Sequence, residues 1–225
     1  MGRYKVVEHF LSINGEGKRA GQLAYFIRFA GCNLQCDYCD TKWANEEEVE
    51  YSEYDENSLY SMIKGSGVKN VTLTGGEPLI QQNIIDLLDL LGSDKELYIE
   101  IETNGSVDII PFLPQNKVCN LTFTLDYKLG VSGMENKMFL KNFEMVREYD
   151  TVKFVVGSKE DLLKSREIIN EYKLVEKGCA VILSPCYEKI EPSVIVDFMK
   201  EKHLNGVNVQ LQMHKYIWSP DQRGV

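Results

Sequence analysis

Residues 23–39 read L-A-Y-F-I-R-F-A-G-C-N-L-Q-C-D-Y-C: a β-forming run from Leu23 to Phe29, then three thiols at Cys32, Cys36 and Cys39. The aromatic and aliphatic residues of the run predict a strand. Cysteines that follow a strand directly sit on a loop at its carboxyl end, where parallel sheets collect their ligands. Six further runs predict strands: Val71 to Thr74, Leu97 to Ile101, Leu121 to Leu125, Val152 to Val156, Cys179 to Leu183 and Val207 to Leu211. Helical spacing appears between most of them, as in Ile84, Leu87, Leu88 and Leu91, or Phe139, Phe143 and Val146. Ser158 with Asp161 predicts a cap opening a helix through Tyr172, and Pro192 suits the first turn of a helix ending near His203. Strand, helix and strand in alternation close by right-handed crossovers onto a mostly parallel sheet, so the class is α/β. Both an open doubly wound sheet and an incomplete barrel satisfy that pattern.

A chain of 225 residues fits one domain, residues 1–225, and can bury a core without disulfides or metal for basic stability. Acidic residues number 34 against 25 basic, a formal net charge of -9 that disfavours nucleic acid and anionic membrane surfaces as partners. The N-terminal sequence has no long apolar region of signal-peptide type, and no stretch reaches membrane-spanning length, so the expected location is the cytoplasm. Thiols stay reduced there, and clustered cysteines then point to metal or redox chemistry.

Cys32, Cys36 and Cys39 form C-x3-C-x2-C without a second cysteine pair, the usual completion of a structural zinc site. Cys119, Cys179 and Cys186 are scattered and are expected to be buried small hydrophobes. His9, His203 and His214 show no ligand spacing among themselves. Three thiolates suit a 4Fe-4S cluster whose fourth iron keeps an open position; a degenerate zinc knuckle is the alternative. Three more strand ends carry polar groups: Gly75-Gly76-Glu77-Pro78, Glu100 to Gly105, and Thr124 to Lys128. The glycines permit close backbone approach, and the Glu77 carboxylate suits a cationic amine.

C-x3-C-x2-C at the end of one strand and Gly-Gly-Glu-Pro at the end of the next resemble the radical S-adenosylmethionine superfamily. That resemblance implies a partial (β/α)6 barrel, a 4Fe-4S cluster on Cys32, Cys36 and Cys39, and S-adenosylmethionine chelated by the open iron. It further implies that Gly75, Gly76 and Glu77 receive the methionine amine and Lys128 the carboxylate, with Asp126 or Glu102 reaching the ribose. Reductive cleavage of the cofactor would yield a 5'-deoxyadenosyl radical.

Ser12 to Gly17, Phe26 to Arg28, Cys39-Asp40-Thr41 and Gln212 to Lys215 are similar to the 7-carboxy-7-deazaguanine synthase family. This second resemblance implies ring contraction of 6-carboxy-5,6,7,8-tetrahydropterin with loss of ammonia, on the pathway to queuosine. It makes Asn14, Glu16, Arg28, His214 and the terminal Val225 substrate contacts, although the family usually carries Gln where this chain has Asn14. Thr41 becomes a magnesium ligand, and the expected partners are a flavodoxin or ferredoxin donor and a second copy in a homodimer. Chemically, Glu16 can accept from the guanidine-like edge of a pterin and Arg28 can grip its carboxylate. The rival readings are a glycyl-radical enzyme activase, which needs an exposed docking face, and a non-catalytic iron-sulfur protein, which usually supplies a fourth cysteine.

Overall fold

The computed structural model describes residues 3–113, 120–219 and 222–225. Its strands are β1 (Tyr4–Ile13), β2 (Leu23–Phe29), β3 (Ser52–Tyr54), β4 (Asn70–Gly75), β5 (Tyr98–Thr103), β6 (Leu121–Tyr127), β7 (Thr151–Val156), β8 (Ala180–Pro185) and β9 (Val207–Val209). The helices are α1 (Glu56–Ser66), α2 (Ile84–Ser93), α3 (Lys141–Met145), α4 (Lys159–Glu171), α5 (Pro192–Lys202) and α6 (His214–Ile217). One sheet runs in the order β3-β1-β2-β4-β5-β6-β7-β8-β9 among the described residues. From β2 to β9 every neighbouring pair is parallel, whereas β1 is antiparallel to both β2 and β3. The two ends of the sheet do not pair, so the barrel is incomplete.

All seven expected strands are present, and β1 and β3 are added on one edge. β1 exposes Lys5, His9 and Leu11 and buries Tyr4, Val6 and Ser12, as suits an antiparallel strand with one wetter face. The capped helix also forms: Ser158 Oγ accepts from Asp161 N at 3.1 Å. Helix α3 is shorter than the spacing of Phe139, Phe143 and Val146 predicts. Its Asn142 is buried and pinned to the preceding connection, accepting from Ile109 N and donating to Gly105 O and Val107 O. These bonds fix the segment as a linker. Cys179 and Cys186 are buried as expected, while Cys119 lies outside the described residues.

The parallel strands alternate between two environments. Ile27, Leu73, Ile101, Phe123, Leu125, Val152, Phe154, Val181 and Leu183 belong to the apolar core shared with the helices. The other face carries polar residues in register: Arg28 opposite Thr74, Glu102 opposite Thr124, and Asp126 opposite Lys153. Parallel strands usually bury apolar residues on both faces, so this run of charged and hydroxyl side chains marks a concave face suited to a polar ligand.

The loop between β1 and β2 starts from the opposite rim, at the amino end of β2, and reaches the far side of the sheet. Gly17 N donates to Gln210 Oε1 at 2.7 Å, and Gln210 Nε2 donates back to Gly17 O at 3.1 Å. β9 ends two residues short of the expected Leu211, although Gln210 N still donates to Leu183 O on β8 at 3.1 Å, and the Gln210 side chain turns to the loop. This clasp spans the gap that strand pairing leaves open.

Candidate active site

A cavity of about 600 Å³ occupies the concave face. The β2–β4 parallel pair positions its two glycine-dependent edges. Gly76 N donates to Phe29 O at 3.1 Å and Glu77 N to Gly31 O at 2.9 Å, so the Gly-Gly turn grips the start of the cysteine loop. A Cβ at Gly76 would lie 1.8 Å from Gly31 O and 2.3 Å from Asn45 Oδ1. At Gly75, whose φ is +139°, a Cβ would lie 2.4 Å from Phe29 O. The glycines are thus required first by backbone-to-backbone approach.

Cys32, Cys36 and Cys39 all line the cavity. Burial pushes the Cys32 and Cys36 thiols up, and the charges of neighbouring thiols add to that rise. Cys32 Sγ accepts from Leu34 N at 3.4 Å and from Asn104 Nδ2 at 3.5 Å, donors that suit a thiolate. Among the described residues no three His, Cys, Asp or Glu side chains converge where a single ion could sit. Three thiols that face one cavity can each bind a different iron of a polynuclear cluster.

The Glu77 carboxylate is not on the cavity wall. It is fully buried, with Oε1 accepting from Leu79 N at 3.0 Å and Thr103 Oγ1 at 2.9 Å, and Oε2 from Asn104 N at 2.7 Å. Burial raises its pKa to about 7. The side chain joins the Gly-Gly turn to the end of β5, and only the backbone of the turn is left to meet a ligand amine. Asn14 is also displaced from its expected role. It is buried behind the wall, accepting from Thr72 Oγ1 at 2.7 Å and reaching Glu100 Oε2 at 3.5 Å. A side chain one methylene shorter than Gln stays in this internal network.

The remaining expected residues, Gly75, Gly76, Glu16, Arg28, Thr41, Glu102, Asp126, Lys128, His214 and Val225, do line the cavity. They form a chain of alternating charge. Lys128 Nζ lies 2.5 Å from Asp126 Oδ2, Lys153 Nζ lies 3.1 Å from Asp126 Oδ1, and the same Nζ lies 2.5 Å from Glu16 Oε2. Desolvation disfavours these charges, yet their mutual attraction keeps the Asp126 carboxyl below its usual range and the two ammonium groups above theirs. Burial pushes Glu102 up, and the nearby Glu16 charge adds to the rise while Lys153 opposes it.

Arg28 Nε donates to Glu8 Oε1 at 2.7 Å, which holds the guanidinium against the cavity wall. Thr41 Oγ1 lies 3.5 Å from Cys39 Sγ and does not cap the short turn that follows it. His214 Nε2 approaches Asp40 Oδ2 at 3.7 Å, with Lys215 Nζ at 3.8 Å from the same oxygen. These two neighbours hold the Asp40 carboxyl well below the usual carboxylate range.

Sequence reasoning missed Glu8, Lys153, Ser184, Lys189 and Lys215. Lys153 carries the one available signal, a lysine inside an otherwise apolar run, T-V-K-F-V-V.

The Radical SAM superfamily profile matches residues 26–126. A 7-carboxy-7-deazaguanine synthase of Clostridium acetobutylicum is 55% identical over 222 residues, covering 99% of both chains. The chain belongs to the 7-carboxy-7-deazaguanine synthase family. A second synthase of that name, from Leptospira interrogans, is 34% identical over 98% of this chain and 97% of its own. In fold, this family member is similar to the crystal structure of QueE from Escherichia coli, with a TM-score of 0.73, 23% identity and 93% of each chain covered. It is also similar to Streptococcus suis SuiB bound to S-adenosylmethionine, with a TM-score of 0.57, 16% identity, and 83% of this chain and 51% of that one covered.

Proposed function

We propose that this enzyme converts 6-carboxy-5,6,7,8-tetrahydropterin to 7-carboxy-7-deazaguanine, releasing ammonia in a radical ring contraction. The observation that carries the reading is the cavity itself: three thiols and a ring of both charge signs share one concave face, on a chain that is 55% identical over 99% of its length to a synthase of that name. Its volume is within the range of small-molecule sites, about 300–1,000 Å³. An activase would have to admit a protein segment instead.

Cys32, Cys36 and Cys39 would hold the cluster, and when bound it supplies the electron that makes S-adenosylmethionine a source of a hydrogen-abstracting radical. The backbone of Gly75 and Gly76 offers polar groups to the methionine amine. Lys128, paired with Asp126, offers a cation to its carboxylate, and Asp126 or Glu102 reaches toward the ribose. On the other half of the cavity Glu16 accepts from the guanidine-like edge of the pterin. Arg28 keeps its terminal nitrogens for the substrate carboxylate while Glu8 engages Nε. His214 and Val225 complete that wall, and the Thr41 hydroxyl is a hard oxygen donor suited to magnesium.

A single domain, a homodimer in the cytoplasm and a flavodoxin or ferredoxin donor complete the reading and rest on resemblance and composition. No helix among the described residues is long and apolar enough to cross a membrane.

The test is an anaerobic assay of iron- and sulfide-reconstituted protein with S-adenosylmethionine, magnesium, reductant and the pterin, read by mass spectrometry. We expect 7-carboxy-7-deazaguanine. Cofactor cleavage without that product would discard the pterin while keeping the superfamily chemistry, and absence of cleavage in fully loaded, reduced protein would discard both. Cys36→Ala is expected to lose cluster assembly and cofactor cleavage together.

A further inference from the structure

Lys153 projects from β7 into the middle of the cavity with its side chain only 10% exposed. Its strand is paired on both sides and every residue of it is buried, so the lysine stands on a rigid support. Glu16, by contrast, stands on the loop that enters from the opposite rim. Lys153 donates to Glu16 Oε2 at 2.5 Å. Toward Asp126 Oδ1 it stands at an ion-pair distance of 3.1 Å, yet that oxygen has no hydrogen-bond partner, so the directed bond is the one to Glu16.

The other Glu16 oxygen is free to accept. Ser184 Oγ lies 3.3 Å from Oε1, but its single proton is better placed toward Gln210 O at 2.6 Å. One oxygen of this cavity-lining carboxylate is therefore fixed by a buried ammonium, while the other has no committed donor. The same ammonium lies within ion-pair distance of both Glu16 and Asp126, so it joins the loop carboxylate to the strand carboxylate.

We infer that Lys153 is a positioning residue for substrate recognition: it holds Glu16 by Oε2, which leaves Oε1 to accept from the amino-pyrimidine edge of the substrate. This rests on the ring-contraction reading given above. It divides the charged chain into two functions, with Lys128 serving the cofactor side and Lys153 the substrate side.

The experiment measures equilibrium binding of 6-carboxytetrahydropterin, and separately of S-adenosylmethionine, to the reconstituted but unreduced enzyme. It compares wild type, Lys153→Met, Lys153→Arg, Glu16→Gln and the double variant K153M/E16Q, each with a thermal melt and an iron count. The expected results for K153M are a pterin Kd weakened by roughly tenfold or more and a KM loss that exceeds the kcat loss. Its S-adenosylmethionine Kd should stay within about threefold, and K153R should recover most of the pterin affinity. In the double-variant cycle the two losses should not add, because both remove the same ion pair. Should K153M fail to fold, Lys153→Gln, which also removes the charge, takes its place in every comparison.

Unchanged pterin affinity in folded K153M overturns the inference, as do additive losses in the cycle or equal losses of pterin and cofactor. Wild type that binds no pterin defeats the ring-contraction reading and the inference together. Wild type that binds while K153M binds equally well defeats the inference alone.

Discussion

At Gly76 the requirement for glycine has a measurable size. A methyl group there would sit 1.8 Å from Gly31 O, well inside any tolerable contact, and the atom it meets is backbone. Gly76→Ala is therefore expected to push the cysteine loop away from the β4 end, with overpacking costs of about 1–3 kcal/mol. Iron and sulfide analysis after reconstitution checks this: the variant should hold less than half the wild-type iron, and a full complement would show that the loop tolerates the shift. Arg28→Ala makes the complementary case on the substrate side. Cofactor cleavage without pterin should persist while pterin kcat/KM falls by roughly tenfold or more, through loss of a charge-assisted contact. Normal pterin turnover by that variant would remove Arg28 from the substrate wall. Both residues are visible in the sequence as types, but what each touches is not. Glu77 shows the difference, since its motif is plain while its carboxylate turns inward to Leu79, Thr103 and Asn104.

Among the elements, those whose signal is local read well from sequence. The Ser158 cap and the Pro192 start and His203 end of α5 sit where composition places them, and each depends on contacts within a few residues. Ser158→Ala should cost about 1 kcal/mol by removing the bond to Asp161 N, measurable as a shift in the denaturant midpoint at constant m-value. A loss under a few tenths would mean that the cap adds nothing to the helix. β1 escaped notice because Lys5, Glu8, His9 and Ser12 interrupt its apolar positions, and β3 because three residues fall below any useful window. α3 was overestimated since spacing alone cannot reveal that buried Asn142 bonds to a neighbouring connection rather than allowing the helix to extend.

Across the whole molecule, the polar interior leaves a signature in stability against pH. Burial raises the pKa of both Glu77 and Glu100 to about 7 from an ordinary 4.5. Each binds its proton more tightly in the folded chain than in the unfolded one. Stability from these two groups is therefore greatest below about pH 4.5 and declines as pH rises toward 7, by at most about 1.4 kcal/mol per pH unit for each. Denaturant titrations between pH 5 and 8 should show this fall, and Glu100→Gln should flatten it. An unchanged slope in E100Q would mean that Glu100 titrates normally. The clasp between Gly17 and Gln210 belongs to the same scale, because it links residues 193 positions apart across the gap in the sheet. Gln210→Ala removes two hydrogen bonds worth about 1–3 kcal/mol together and should loosen the loop that carries Glu16, read as faster amide exchange over residues 15–17.

The sequence by itself determined the α/β class, the seven parallel strands, the cysteine triplet at a strand end and the family, since each is written in local spacing or in motifs short enough to survive as strings. Only the tertiary structure decided which polar side chains share a cavity. Sheet register brought Asp126 opposite Lys153, and a loop from the far rim brought Glu16 to the same lysine. Asn14 and the Glu77 carboxylate were turned inward by hydrogen-bond partners from other strands. Such placements depend on long-range pairing and burial, where the cost of an unpartnered charge selects neighbours that sequence distance does not reveal.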